Sequence, residues 1–180
     1  MSAIIYKRAE TAEELNQILN LQRINLPTEI SNEEKQSEGF VTVHHDYDIL
    51  KAMNDKCPHI IAKHSDKVIG YTLCMDRSFK NDIEVLKSMF GQIEKKIEKT
   101  ISYIIMGQVC IDKAYRKQGI FRGLYQQMKL VLKSQFDLII TQVDKSNIRS
   151  LNAHYAIGFK ILYSYRSNEH DWEILFWRLN

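Results

Sequence analysis

The stretch AYRKQGIFRGLYQQM, Ala114 to Met128, gathers Arg116, Lys117 and Arg122 around Gly119. A strand-like run, Tyr103 to Asp112, precedes it, and a helix-like run starting near Gly119 follows. The first N–H groups of a helix have no internal acceptor and carry the positive end of its dipole. A glycine there lets backbone approach a ligand closely. Such a junction holds anions, phosphate above all. By itself the stretch fits a basic helix cap as well, and it matches neither GxGxxG nor GxxxxGK[ST].

Other reactive side chains are less organised. Cys57, Cys74 and Cys110 form no CxxC pair, and their odd count argues against a disulfide framework. Cys74 and Cys110 lie in apolar runs and read as small buried hydrophobes. No base in the sequence pairs with Cys110, which argues against a covalent nucleophile. His44 and His45 have no third ligand at useful spacing, so no metal site is expected.

These groups sit in a chain of 180 residues with 44% hydrophobic and 26% charged content. That is ordinary for one soluble domain with a core of its own, so a single domain over residues 1–180 is expected. A net charge of +3, with Lys and Arg scattered, gives no footprint for nucleic acid. The N-terminal residues lack a signal-peptide core, and no run approaches ~18 unbroken apolar residues. A cytoplasmic protein that binds neither membrane nor nucleic acid is expected.

The elements that must position the junction follow from periodicity and caps. AIIYKR reads as a strand. TAEELNQILNLQ reads as a helix opened by a Thr11/Glu14 capping box. NLPTEISNEEKQSEG is loop-like, FVTVHH is extended, and Asp46 caps a short helix. HIIAKHSDKVIGYTLCMD is a hairpin about HSDK. DIEVLKSMFGQIEKKIEK has a helical period that Gly91 threatens to interrupt. SYIIMGQVCID is a dense strand in which Gly107 signals a bulge or close backbone approach. A helix over IFRGLYQQMKLVLKSQ, the strand DLIITQVD, a helix over NIRSLNAHYAI ending at Gly158, and strands FKILYSYR and WEILFWRL complete the chain. The order β-α-α-β-β-α-β-α-β-α-β-β predicts an α/β fold with a single mixed sheet flanked by helices.

YRKQGIFRGLY resembles the acyl-coenzyme A signature of the GNAT superfamily of N-acetyltransferases, [RQ]-x-x-G-x-[GA]. Arg116 and Gly119 match it, and Phe121 stands where Gly or Ala is usual. Downstream, QVDKSNIRSLNAHYAIGF is similar to the family's second element, with Asn147, Ser150, Gly158 and Phe159 in place. The resemblance covers the whole chain, most fully from Tyr103 to Lys160. It implies the strongly twisted central sheet of that fold.

The resemblance also implies a reaction: transfer of an acetyl group from acetyl-CoA to an amine by direct attack in a ternary complex. The pyrophosphate would lie on Arg116, Lys117, Gln118, Gly119, Ile120 and Phe121, with Arg122 adjoining and Asn147 nearby. The pantetheine arm would pair with Val109, Cys110 and Ile111, and a backbone N–H near Val109 would polarise the thioester carbonyl. The family's tyrosine, which protonates the leaving thiolate, falls at His154, with Tyr155 next to it. Histidine exchanges protons near neutrality, while packing is the alternative role for both residues. The family's glutamate base falls at Gln142, which takes no proton; Asp144, His44, His45 or a water chain remain as bases.

Those departures leave an acyl-CoA-binding regulatory module without turnover as the alternative function. The acceptor site is expected from Leu26–Asp55, Asp82–Lys99 and the closing strands with Trp172 and Trp177. Phe40, Tyr47 and Phe90 are either pocket or core. A polyamine, an aminoglycoside, an amino acid or a protein N-terminus all stay open as acceptors. The last strand is apolar on both faces, which suggests a homodimer contact.

Overall fold

A computed structural model of the chain describes residues 3–26, 28–29, 33, 41, 43–83 and 86–180. Seven strands form one mixed sheet: β1 (Ile4–Arg8), β2 (Ile60–His64), β3 (Lys67–Met75), β4 (Tyr103–Ile111), β5 (Leu138–Asp144), β6 (Lys160–Ser167) and β7 (His170–Arg178). Their spatial order is β1-β2-β3-β4-β5-β7-β6. Among the described residues five α-helices cover the sheet: α1 (Ala12–Arg23), α2 (Tyr47–Lys56), α3 (Lys87–Lys96), α4 (Ile120–Leu132) and α5 (Ile148–Ala156). The strand and helix order is the one expected from sequence. None of these helices is long and apolar enough to cross a membrane.

Local chemistry sets the ends. Thr11 and Glu14 form the capping box of α1. Asp46 caps α2 by accepting from the Ile49 N–H at 2.8 Å. Gly91 lies inside α3 in open space and does not break it. That helix starts only at Lys87, after a 3-10 turn over Arg77–Asn81, so it is shorter than its periodicity predicts. Most of the NLPTEISNEEKQSEG loop, and parts of the FVTVHH segment, lie outside the described residues.

Each face of the sheet buries its own core. Leu15, Ile18, Leu50, Met53, Met89, Phe90 and Ile93 from α1, α2 and α3 pack on Tyr71, Leu73, Ile105 and Ile140. Leu124, Tyr125, Met128, Leu132 and Leu151 from α4 and α5 pack on Ile69, Ile104, Ile139 and Leu175. Each fully buried aliphatic or aromatic side chain contributes on the order of 2 kcal/mol. Helix α4 comes so close to β1 that a Cβ at Gly123 would lie 2.2 Å from the Tyr6 ring. Strand β7 runs between β5 and β6 and buries Ile174 on one face and Leu175 on the other. Its apolarity on both faces is therefore satisfied within the chain, which removes the reason for expecting a dimer contact there.

One irregularity positions the site. Strands β4 and β5 are parallel and pair only from Tyr103–Leu138 to Ile105–Ile140. Beyond Ile105 they part. On its other edge β4 pairs with β3 as Met75↔Ile105 and Cys74↔Met106, then as Thr72↔Val109. Leu73 of β3 thus opposes both Gly107 and Gln108 of β4, and one of these two is the extra residue. This is the bulge that Gly107 signals in the sequence. It swings β4 away from β5 and leaves the backbone edge of Met106–Ile111 unpaired on that side.

Candidate active site

The opened wedge has a cavity on each side. The first, of ≈ 290 Å³, is lined by Val109, Cys110 and Ile111 of β4, by Tyr115, Arg116, Lys117, Gly119, Ile120 and Phe121 of the loop and α4, and by Asn147, Arg149, Ser150 and Ala153 around the start of α5. Asn25 and Val41 close it. Nine of the expected cofactor residues therefore converge here. Gln118 and Arg122 do not line the cavity: Gln118 is exposed and its Nε2 donates to Ala114 O at 3.0 Å, and Arg122 is also exposed.

The loop is built to leave amides available. Lys117 has φ 62° and Gly119 has φ 80°, so the backbone takes two left-handed steps within three residues. Only glycine adopts such a φ without steric cost. As N-cap of α4, Gly119 has no side chain to bond the first-turn amides. The N–H of Gly123 bonds Gly119 O at 3.0 Å. The amides of Ile120, Phe121 and Arg122 come before the first helical acceptor and are open to an anion. Arg116 is also bonded within the fold. Its Nε donates to Ile111 O at 3.2 Å and its Nη2 to Asn25 Oδ1 at 2.8 Å. It ties the loop to β4 and to the end of α1 while lining the cavity.

Phe121 does not lie across these amides. Its ring packs against Tyr125 and His154, with centroids 4.9 and 5.1 Å away. His154 is 1% exposed and is absent from the lining of both cavities. Its Nδ1 donates to Ser150 O at 2.7 Å, and its Nε2 accepts from the Tyr125 hydroxyl at 2.6 Å. Burial lowers its pKa to about 4, so the ring is neutral. The proton-donor role implied for His154 does not fit this placement, because both nitrogens are committed in the core. Tyr155 likewise lines neither cavity. Its hydroxyl donates to Glu173, and burial together with that carboxylate pushes the phenol up to about 12.

Burial also pushes the Cys110 thiol up to about 12, so it is no thiolate. Asn147 lines the cavity and caps α5, its Oδ1 accepting from the Ser150 N–H at 3.1 Å. Asn25, Val41, Tyr115, Arg149, Ser150 and Ala153 line the cavity beyond the residues expected from sequence. Ser150 stands in the second motif, which was the available signal. Asn25 follows a helix with no pattern that marks it.

The second cavity, of ≈ 50 Å³, lies beyond the bulge. Ile105, Met106 and Gly107 of β4, Gln142 of β5 and Trp172 of β7 form one wall. Val43, His45, Met53, Met75, Ile83, Leu86 and Met89 complete it. All three segments expected to build the acceptor site contribute. Trp177 does not; it stacks on Phe159, 5.7 Å between centroids, in the other core. Phe90 is buried core and Tyr47 packs at the core's edge. Phe40 lies outside the described residues. The Gln142 carboxamide accepts from the Tyr165 hydroxyl. His45 donates from its backbone N–H to Gln22 Oε1 at 3.0 Å, and its Nδ1 lies 3.3 Å from the same oxygen. Burial and the neighbouring His44 hold its pKa down to about 4. The neutral ring with Nδ1 protonated keeps its lone pair on Nε2. Asp144 is instead engaged with Ser146 and His170 at the end of β5.

A mixed sheet parted between two parallel strands, with an uncapped glycine-led helix start at the mouth, defines an acyl-coenzyme A-dependent transferase fold. The model of the acetyltransferase (GNAT) family matches residues 15–159, and the chain belongs to that family. Solved structures share the fold at low identity. The NatC complex bound to Gag peptide and CoA contains a chain 17% identical, with TM-score 0.68 and 100% of each chain covered. The ribosomal-protein-S18-alanine N-acetyltransferase from Escherichia coli is 10% identical, with TM-score 0.65 and coverage of 98% of this chain and 94% of the other. Salmonella typhimurium yncA, solved with its cofactor acetyl-CoA, is 12% identical, with TM-score 0.66 and coverage of 99% and 95%. A search of curated protein sequences finds no match.

Proposed function

We propose that residues 1–180 form a single-domain N-acetyltransferase that moves an acetyl group from acetyl-CoA to a primary amine by direct attack in a ternary complex. The observation that carries this is the opened stretch of β4, whose Val109–Ile111 line the first cavity and whose Ile105, Met106 and Gly107 line the second. The family and the CoA-containing structures of the same fold support the donor.

The amides of Ile120–Arg122 hold the pyrophosphate, with Lys117 and Arg116 adding charge. The unpaired edge at Val109–Ile111 takes the pantetheine amides as an added strand would. A backbone N–H at the bulge stabilises the carbonyl oxygen as it becomes tetrahedral. The amine nitrogen attacks from the second cavity, forming the C–N bond while the C–S bond breaks. His45 Nε2 accepts the proton from the attacking nitrogen. That nitrogen turns strongly acidic once bonded to carbon, so a weak base is sufficient. The thiolate takes a proton from solvent on the donor side, relayed by a side-chain hydroxyl that gives up its own proton as it receives one from water. Ser150 and Tyr115 carry the side-chain hydroxyls on that wall among the described residues. Tyr115 is bonded to His64 at 2.8 Å, which leaves Ser150 for the role.

The burial of His154 favours a second reading, an acyl-CoA-binding module without turnover. Calorimetry with acetyl-CoA and thiol release over an amine panel separate the two. Binding with amine-dependent release supports the enzyme; binding without release over the whole panel supports the module.

A further inference from the structure

The second cavity differs in kind from the first. Its wall carries no Asp, Glu, Lys or Arg among the described residues. Four of the six methionines of the chain, Met53, Met75, Met89 and Met106, line it together with Val43 and Leu86. Its polar side chains are His45, Gln142 and the Trp172 indole, and Gly107, where β4 and β5 part, also lines it. Apart from these groups the described lining is apolar.

The described lining offers a second ammonium no carboxylate. Burying a cation without a carboxylate costs several kcal/mol, which disfavours polyamines and aminoglycosides. Methionine side chains are flexible and polarisable and mould to apolar groups of varied shape. At roughly 10–15 Å³ per water-sized group, the cavity of ≈ 50 Å³ takes about four non-hydrogen atoms. That is the size of a leucine or methionine side chain.

We propose that the acceptor is a primary amine carrying an unbranched or branched aliphatic substituent of this size beside the amino group, seated among Met53, Met75, Met89 and Met106. This rests on the donor reading above, and the tests keep the two apart. With acetyl-CoA as donor, kcat/KM for leucinamide and methioninamide exceeds that for glycinamide, spermidine and kanamycin by at least about tenfold, the usual worth of filling an apolar pocket. The half-buried Leu86 tests the wall with little risk to folding. Leu86→Glu loses that preference while the calorimetric Kd for acetyl-CoA stays within about twofold. Equal rates with glycinamide, or faster rates with spermidine or kanamycin, overturn the proposal. So does acetyl-CoA binding with no acetylation of any of these amines.

Failure of acetyl-CoA to bind overturns the donor reading alone. The cavity is then decided by NMR of methyl-labelled methionine without donor. Leucinamide shifts Met75, Met89 and Met106 and leaves Met128, in the opposite core, unmoved. No selective shift, or shifts by spermidine as large, overturns the proposal.

Discussion

The rings of Phe121 and His154 meet edge to face, 5.1 Å between centroids and 87° between planes. Both residues depart from the family's motifs, one where a small residue is usual and the other where tyrosine is. Their contact makes the departures a matched pair: a smaller ring on α5 leaves room for a larger one on α4. Phe121→Ala and His154→Tyr each lower stability by about 1–3 kcal/mol, through a cavity and overpacking respectively. The double variant recovers about 1–2 kcal/mol relative to their sum. Urea unfolding of the four proteins measures it, and simple additivity contradicts the pairing.

Because His154 is committed to Ser150 and Tyr125, its role is separable from chemistry. His154→Gln is expected to lower the denaturation midpoint while kcat of the folded enzyme stays within about threefold. Ser150→Ala lowers kcat at least about tenfold, and Tyr155→Phe leaves it nearly unchanged. Steady-state kinetics checks all three; a collapse of kcat in Tyr155→Phe reassigns the proton donor.

Gly119 fixes the loop through its φ of 80°. Gly119→Ala forces a side chain into a conformation that costs about 1–2 kcal/mol. The Kd for acetyl-CoA rises about tenfold, with a smaller change in the thermal midpoint. Arg122→Ala, outside the cavity, changes Kd less than about threefold. Calorimetry distinguishes the two.

Acidification tests the buried histidines. Burial, with His44 beside His45, lowers the pKa of His45 to about 4. Burial also lowers His59 to about 3 and His154 to about 4. The unfolded chain protonates the same rings near about 6.5. It therefore binds more protons than the folded chain below that pH, and stability falls as pH drops through the folded values. The chain is expected to unfold cooperatively between about pH 6 and 4 by circular dichroism. A fold as stable at pH 4 as at pH 7 contradicts this protonation state.

Much of this architecture is legible in the sequence because it is locally encoded. The Thr11/Glu14 box, the HSDK turn and the glycines at 107 and 119 each announce a backbone event that the structure contains. The donor cavity is legible for the same reason: its residues cluster in two short motifs. What stayed hidden depends on direction and distance. The resemblance to the family's second motif puts His154 in the proton-donor position, but the ring is buried in the core against Tyr125 and Phe121. Arg116 looks like a loose cation until Asn25, 91 residues earlier, receives its guanidinium. The methionine wall collects residues from four elements, and no local period links Met53 to Met106.

In the proposed function the wedge holds a thioester between the two cavities. A crystal structure of the protein with acetyl-CoA tests it most directly. Pyrophosphate is expected on the amides of Ile120–Arg122, pantetheine along Val109–Ile111, and the acetyl group at Gly107, open toward His45 and the methionines. A donor bound elsewhere, or an acetyl group walled off from the second cavity by Met106 or Gln142, contradicts it.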